Sequence, residues 1–271
     1  MRNELAAMAT VRGELILMRI RLGLAAIGLV AASIVSPANA ADIRVLSAGA
    51  VERGLGPVAA DFERSTGHHV QVEYAAAPAI AARLAADPGF DIVIAPPAVL
   101  DALAGAGRLG AERVTIGKVG IGVAVRTSAR TPDIASVDAL KRELSSADAV
   151  VFNRASTGLY VEKMLVTLGV AESVNARAVR VDDGAAVMRR LLAGSASREF
   201  GFGAMTEIAL FEDQGLRLVG PLPAALQNTT TYAASTVQNA AVKDAVATLM
   251  LRLQDTQARA AFARAGIEPA R

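Results

Sequence analysis

Short apolar strands alternate with helical segments in two separate parts of the chain, and this alternation constrains the fold more than any other feature. In the first part, Asp91–Ala95 (DIVIA) is a continuous apolar run, typical of a parallel strand buried on both faces. Elsewhere apolar residues recur at helical spacing, as between Leu55 and Phe62. Strands that alternate with helices at such short intervals predict an α/β fold whose sheets are covered by helices.

The alternation occurs over residues 42–103 and again over residues 149–205, which predicts two similar lobes. Strand-like segments at 119–125 and 230–237 follow the two halves, and we interpret them as crossings between the lobes. We therefore expect two lobes around a cleft, each a mainly parallel sheet flanked by helices, joined by two crossing strands. The predicted boundaries are 41–122 and 226–271 for lobe I, and 123–225 for lobe II.

The first forty residues (1–40) have the three-part layout of a secretory signal peptide. A basic start at Met18–Arg21 precedes an apolar run over 22–35, and Ser36–Ala40 ends in the Ala-x-Ala pattern of a cleavage site. A membrane anchor is the alternative, but the run is shorter than the roughly 20 residues that a spanning helix needs. We expect translation from Met18, cleavage before Ala41, no stable membrane insertion and a soluble periplasmic product.

Charge and composition exclude several classes of function. The first forty residues hold four arginines and two glutamates of the 28 basic and 26 acidic residues, so the remainder carries 24 of each and is formally neutral. A neutral chain lacks the basic surface that nucleic-acid binding requires, so no nucleic-acid partner is expected. The chain has no cysteine and no tryptophan, and only 4% of its residues are aromatic, which disfavours disulfides and stacking platforms.

Few residues in the sequence could carry metal or acid–base chemistry. The two histidines, His68 and His69, are adjacent, and neighbouring side chains on a strand point to opposite faces, so a shared metal is disfavoured. Asp182 and Asp183 could form a carboxylate pair, but an N-cap for the helix beginning at Ala185 is the preferred interpretation. Asp91 and Glu207 could each act as a general base, but neither has a visible partner. The sequence therefore predicts no metal, no cofactor and no assignable catalytic residue.

Loop chemistry gives the positive signal for a ligand site. Val150–Gly169 is predicted as strand, polar loop and helix, and in open α/β sheets ligands bind where such loops leave the strands. Helix N-termini have unsatisfied N–H groups that favour anions, and small residues allow a ligand to approach them. Four loops of this kind recur in the two halves: Ser47–Ala50, Ala75–Ala77, Asn153–Gly158 and Asp182–Gly184.

Several motifs resemble the type II periplasmic solute-binding proteins of ABC importers, in the molybdate-binding branch. The motifs are VLSAGA (45–50), FERSTG (62–67), FDIVIA (90–95), GVAVRTSARTPDIASVDALKREL (122–144), ASTGLY (155–160), MLVTLGV (164–170), VGPLPAALQ (219–227) and AGIEP (265–269). The resemblance implies the type II periplasmic-binding-protein fold, an anionic ligand held between the lobes and an ABC permease as partner.

The resemblance also implies which residues would bind an oxyanion. Family hydroxyl positions correspond to Ala50, Ala77 and Ala204, and backbone donors of the second lobe correspond to Thr157 and Gly184. Three missing hydroxyls remove three hydrogen bonds to a charged ligand, each worth roughly 1.5–3 kcal/mol. A small organic carboxylate is therefore preferred over molybdate, tungstate or another tetrahedral oxyanion.

Three functions remain open, and the weakest of them is a sensor subunit that binds the ligand and presents it to a membrane receptor. The first is a monomeric periplasmic protein that captures a small anion for ABC-type import. The second follows from segments 120–170 and 219–271, which are similar to an offshoot that includes periplasmic aconitate isomerases, enzymes that shift an allylic proton without a cofactor. Arg154 is the expected clamp for a carboxylate. The predicted ligand-binding set is Ser47, Ala48, Gly49, Ala50, Ala76, Ala77, Asn153, Arg154, Ser156, Thr157, Gly158, Asp183, Gly184 and Ala204.

Overall fold

The computed structural model describes residues 40–270, so the predicted start at Met18 and all but the last residue of the predicted signal peptide lie outside the described residues. The described strands are β1 (Asp42–Ala48), β2 (His69–Ala75), β3 (Ile92–Ala95), β4 (Leu109–Arg126), β5 (Ala149–Asn153), β6 (Ala178–Val181), β7 (Glu199–Ala204), β8 (Leu216–Pro221) and β9 (Thr229–Val237).

The helices lie between the strands and after the last of them. They are α1 (Glu52–Thr66), α2 (Ala77–Ala86), α3 (Pro97–Gly105), α4 (Val137–Ser146), α5 (Ser156–Thr167), α6 (Ala171–Asn175), α7 (Gly184–Ala193), α8 (Met205–Ala209), α9 (Lys243–Arg252) and α10 (Thr256–Arg264). Short 3-10 turns occur at Gly49–Val51, Glu212–Gln214 and Ala224–Leu226. No helix within residues 40–270 combines the length and apolar character needed to cross a bilayer.

Parallel pairing occurs inside each half of the sheet, and antiparallel pairing occurs where the halves meet. Strand β1 pairs in parallel with β2 and β3, and β5 does so with β6 and β7. Strand β9 lies antiparallel between β3 and β4, and β4 continues antiparallel to β7 and β8. The order is β2-β1-β3-β9-β4-β7-β5-β6, with β8 on β4. The predicted α/β fold with helix-flanked, mainly parallel strands is confirmed.

The first crossing strand is longer than the predicted segment at 119–125, because β4 begins at Leu109. Its first part contains the exposed residues Glu112 and Arg113 and two register shifts against β9, which break the regular alternation. One shift lies next to Gly117, whose φ of 151° is unfavourable for a side chain. A methyl group there would also lie 2.5 Å from the carbonyl oxygen of Glu268.

The buried residues form three apolar clusters. One cluster surrounds β1, β3 and β9 and includes Phe62 of α1 and Phe262 of α10, and we call the half around it lobe I. Two further clusters cover opposite faces of the sheet around β5 and β7, and we call that half lobe II. Helix α8 of lobe II reaches lobe I, where Thr206 donates a buried hydrogen bond of 2.5 Å to the carbonyl oxygen of Ala50.

Candidate functional site

A cavity of about 120 Å³ lies between the two lobes, at the carboxyl ends of the parallel strands. Parallel strands place their following loops at one sheet edge, so loops distant in sequence converge there. The lining residues are Ala48, Gly49, Ala50, Glu52, Tyr74, Ala75, Ala76, Ala77, Asn153, Ala155, Ser156, Thr157, Asp183, Gly184, Ala185, Ala204, Glu207, Leu210, Phe211 and Tyr232.

In lobe I, two helix N-termini at the cavity lack a capping side chain. Ala48 precedes the 3-10 turn that leads into α1, Ala76 precedes α2, and neither side chain can accept a hydrogen bond from the first turn. At the start of α2, Pro78 has no N–H and the N–H of Ala79 donates to the carbonyl oxygen of Ala76, so only the N–H of Ala77 remains among its first three residues. N–H groups at a helix start that lack a partner carry partial positive charge. The alanines therefore leave donors available to an anionic group in the cavity.

In lobe II, the two helix N-termini are held by polar side chains. The buried Asn153 amide oxygen accepts hydrogen bonds of 3.0 Å from the N–H groups of Ala155 and Gly158. Asp183 caps α7 by accepting a 2.6 Å hydrogen bond from Ala186, as the sequence predicts. These contacts fix the loops whose Ser156 side chain and backbone face the cavity.

The structure brings eleven of the fourteen predicted ligand-binding residues to the cavity lining and leaves three outside it. Ser47 is fully buried, and its hydroxyl donates to the carbonyl oxygen of Ala48. Gly158 lies inside α5, where it packs against Asn153. Arg154 is 60% exposed and pairs with Asp182 at 3.2 Å, so it does not reach the cavity and the predicted carboxylate clamp is absent from this arrangement.

Glu207 lies in the centre of the site, although no partner for it is visible in the sequence. A methyl group on Gly49 of lobe I would lie 2.8 Å from its Oε1 atom, and one on Gly184 of lobe II would lie 2.0 Å from its Oε2 atom. The carboxyl group therefore fills the gap between the two lobes, and both glycines provide the room for it. Topology alone brings these three positions together, so the sequence carries no local signal for the contact.

The environment of Glu207 favours its neutral form. Burial raises the pKa of Glu207 to about 7, and the charges of Asp183 and then Glu52 act in the same direction, against a lowering by the backbone N–H of Ala204. Burial also raises the pKa of Glu52 and of Tyr74, which line the same cavity. The lining drawn from the described residues includes no arginine or lysine.

The remaining unpredicted lining residues are aromatic or aliphatic. Tyr74 lies inside β2, directly before the predicted loop Ala75–Ala77, whereas Leu210, Phe211 and Tyr232 come from segments without a site motif. Burial raises the pKa of Tyr232, and the charge of Glu207 adds to the effect. The cavity thus combines backbone donors, one central carboxyl group and an apolar wall.

Asp91, the other residue considered as a general base, has a structural role. It is 4% exposed and accepts hydrogen bonds from the N–H groups of Arg44 at 2.9 Å and Ala241 at 3.0 Å. His68 similarly accepts from Ala41 at 3.1 Å. Within residues 40–270, no group of three histidine, aspartate or glutamate side chains is placed to hold a metal ion.

Replacing Asp91 with alanine is expected to destabilise the protein by about 2–4 kcal/mol, because two partly buried hydrogen bonds to backbone N–H groups are lost. Denaturant unfolding measures this loss. The matched control is Asp101→Ala, which removes an exposed carboxylate and is expected to change stability by less than about 1 kcal/mol. Equal stabilities for the two variants would contradict the structural role of Asp91.

Comparison with known proteins agrees with this architecture. The solved structures of a periplasmic molybdate-binding protein from Azotobacter vinelandii and of the sulfate-binding protein SubI from Mycobacterium tuberculosis superpose with TM-scores of 0.72 and 0.68. Each is 17% identical in sequence to this chain. The molybdate-binding protein covers 84% of this chain with 100% of its own length, and SubI covers 85% of this chain with 87% of its own length. The fold is therefore the two-lobed fold of periplasmic binding proteins, as predicted.

The chain belongs to the family of bacterial extracellular solute-binding proteins, which it matches over residues 43–268. Among curated proteins, it is similar to an aconitate isomerase from a Pseudomonas species, with 29% identity over 259 residues. That alignment covers 92% of this chain and 95% of the isomerase. The resemblance to the molybdate-binding-like branch and its isomerase offshoot is thus confirmed.

Proposed function

We propose that the protein is a monomeric periplasmic solute-binding protein that captures a small organic carboxylate in the interlobe cavity for an ABC importer. The observation that carries the proposal is the convergence of uncapped helix N-termini, at Ala48 and Ala76, on a cavity between the lobes. Such termini bind anions through backbone N–H groups without a cationic side chain. Family membership supports the binding role, and the predicted leader supports the compartment.

Two features favour a carboxylate over a tetrahedral oxyanion. Ala50, Ala77 and Ala204 line the cavity at the positions where the family resemblance implies hydroxyl groups, so the side-chain donors for an oxyanion are missing. Leu210 and Phe211 give the cavity an apolar wall, which suits a ligand with carbon atoms rather than an inorganic ion.

Thermal-shift screening followed by calorimetry tests the proposal with molybdate, tungstate, sulfate, citrate and the aconitates. We expect Ser156→Ala to weaken binding of the best ligand about 10-fold or more, because the hydroxyl group beside Tyr232 in the cavity lining is lost. Arg154→Ala, two residues before the start of the same helix and outside the cavity, is expected to leave affinity unchanged. A shift with molybdate alone would contradict the carboxylate preference, and a loss of binding in Arg154→Ala would contradict the assigned cavity.

The second candidate function is a cofactor-independent isomerase of the aconitate type on the same fold. Glu207 favours it, because a carboxyl group with a pKa of about 7 in a cleft is suited to general acid–base chemistry near neutral pH. The similarity to an aconitate isomerase supports it independently. The test is ultraviolet monitoring of trans-aconitate with purified protein, where Glu207→Gln should abolish turnover; no turnover at high protein concentration would end this candidate.

A further inference from the structure

Glu207 occupies the place where a bound anion would meet both lobes. Its two carboxyl oxygens lie against Gly49 of lobe I and Gly184 of lobe II, closer than any side chain on those residues would allow. Both glycines also belong to the helix starts that line the cavity. The backbone N–H groups at these helix starts carry partial positive charge, which would attract an anionic ligand. An ionised Glu207 therefore competes with the ligand for these N–H groups.

The groups facing Glu207 increase this competition. Asp183 at the start of α7 and Glu52 at the start of α1 line the cavity, and their negative charges raise the pKa of Glu207. The phenol group of Tyr232, on β9, lines the same cavity. The backbone N–H of Ala204 is the opposing interaction, since it favours the ionised form of Glu207. An incoming anion adds a further negative charge, and the least costly response is to protonate Glu207, whose pKa is already about 7.

We propose that Glu207 is the specificity-determining residue of the cavity: it binds the anion in its neutral form and donates a hydrogen bond to it, so that ligand capture takes up one proton. This inference rests on the proposed anion-binding function and adds to it the uptake of one proton when the anion binds. Binding is then strong in a mildly acidic medium and weakens as Glu207 ionises. A capping carboxylate that never contacts the ligand would not couple to binding in this way.

The probes are oxalate, sulfate and molybdate, whose own charges stay constant between about pH 6.5 and pH 8.5. Calorimetry in two buffers of different ionisation enthalpy measures affinity and proton uptake together. For the wild-type protein we expect affinity to fall about 20-fold or more across this range, and uptake to approach about one proton at the alkaline end. Glu207→Gln keeps a hydrogen-bond donor without a titrating proton, so its affinity should be constant and its uptake absent.

The matched control is Asp182→Asn, which removes an exposed carboxylate outside the cavity and should retain the wild-type profile. Identical profiles for wild type and Glu207→Gln, or a flat profile for Asp182→Asn, would overturn the inference while leaving anion binding intact. Loss of all binding only in Glu207→Gln would also overturn it, since a neutral donor should suffice. If neither these probes nor the citrate and aconitates of the thermal-shift screen bind either protein at any pH, the proposed function itself fails.

Discussion

Replacing Gly158 with alanine is expected to destabilise the protein by about 3 kcal/mol or more and to deplete the folded form during expression. A methyl group at this position would lie 1.5 Å from the backbone oxygen of Asn153, and that atom cannot rotate away as a side chain can. The start of α5 would have to move as a unit. This movement would break the hydrogen bonds that the N–H groups of Gly158 and Ala155 donate to the Asn153 amide oxygen.

Urea unfolding of Gly158→Ala beside Gly105→Ala measures the effect. Gly105 is the last residue of α3, and apart from its chain neighbours and its own helix backbone nothing lies within 4 Å of an added methyl group, so alanine there should stabilise the protein by about 0.5 kcal/mol through helix propensity. The two variants make the same chemical change with opposite expected signs. A Gly158→Ala midpoint equal to that of wild type would refute the close approach of α5 to Asn153.

The sequence predicted the parts of the site that depend on local pattern and sheet topology. Alternation of strands and helices located the loops at Ser47–Ala50, Ala75–Ala77, Asn153–Gly158 and Asp182–Gly184, and parallel pairing brings the ends of such loops to one edge. The capping role of Asp183 was also predictable, because an N-cap depends only on the residues that follow it.

What the sequence could not predict depends on side-chain direction and on contacts between lobes. Arg154 lies in the correct loop, but its side chain points to Asp182 at the surface, and loop membership does not determine that direction. Glu207 contacts residues more than twenty positions away in one lobe and more than 150 away in the other. The first part of β4 was missed because glycine and exposed charges interrupt its alternation.

Glu207→Gln is expected to stabilise the ligand-free protein at about pH 8 by about 1–3 kcal/mol and to leave its stability at about pH 4 nearly unchanged. The folded-state pKa of Glu207 is about 7, against an ordinary value of 4.5, so the folded protein holds this proton more tightly than the unfolded chain. Protonation of Glu207 therefore makes its full contribution to the free energy of unfolding below about pH 4.5. This contribution falls as the pH rises towards 7 and stays low above that.

Urea unfolding across this pH range distinguishes the charge effect from a general packing effect. A variant that merely packs better would be stabilised equally at every pH, whereas removal of a costly ionisation stabilises only where the wild-type group is ionised. Asp182→Asn, at a carboxylate whose side chain is 92% exposed, should follow the wild-type curve throughout. A stability difference between Glu207→Gln and wild type that is the same at pH 4 and pH 8 would show that Glu207 titrates normally and that its burial does not disfavour the charged form.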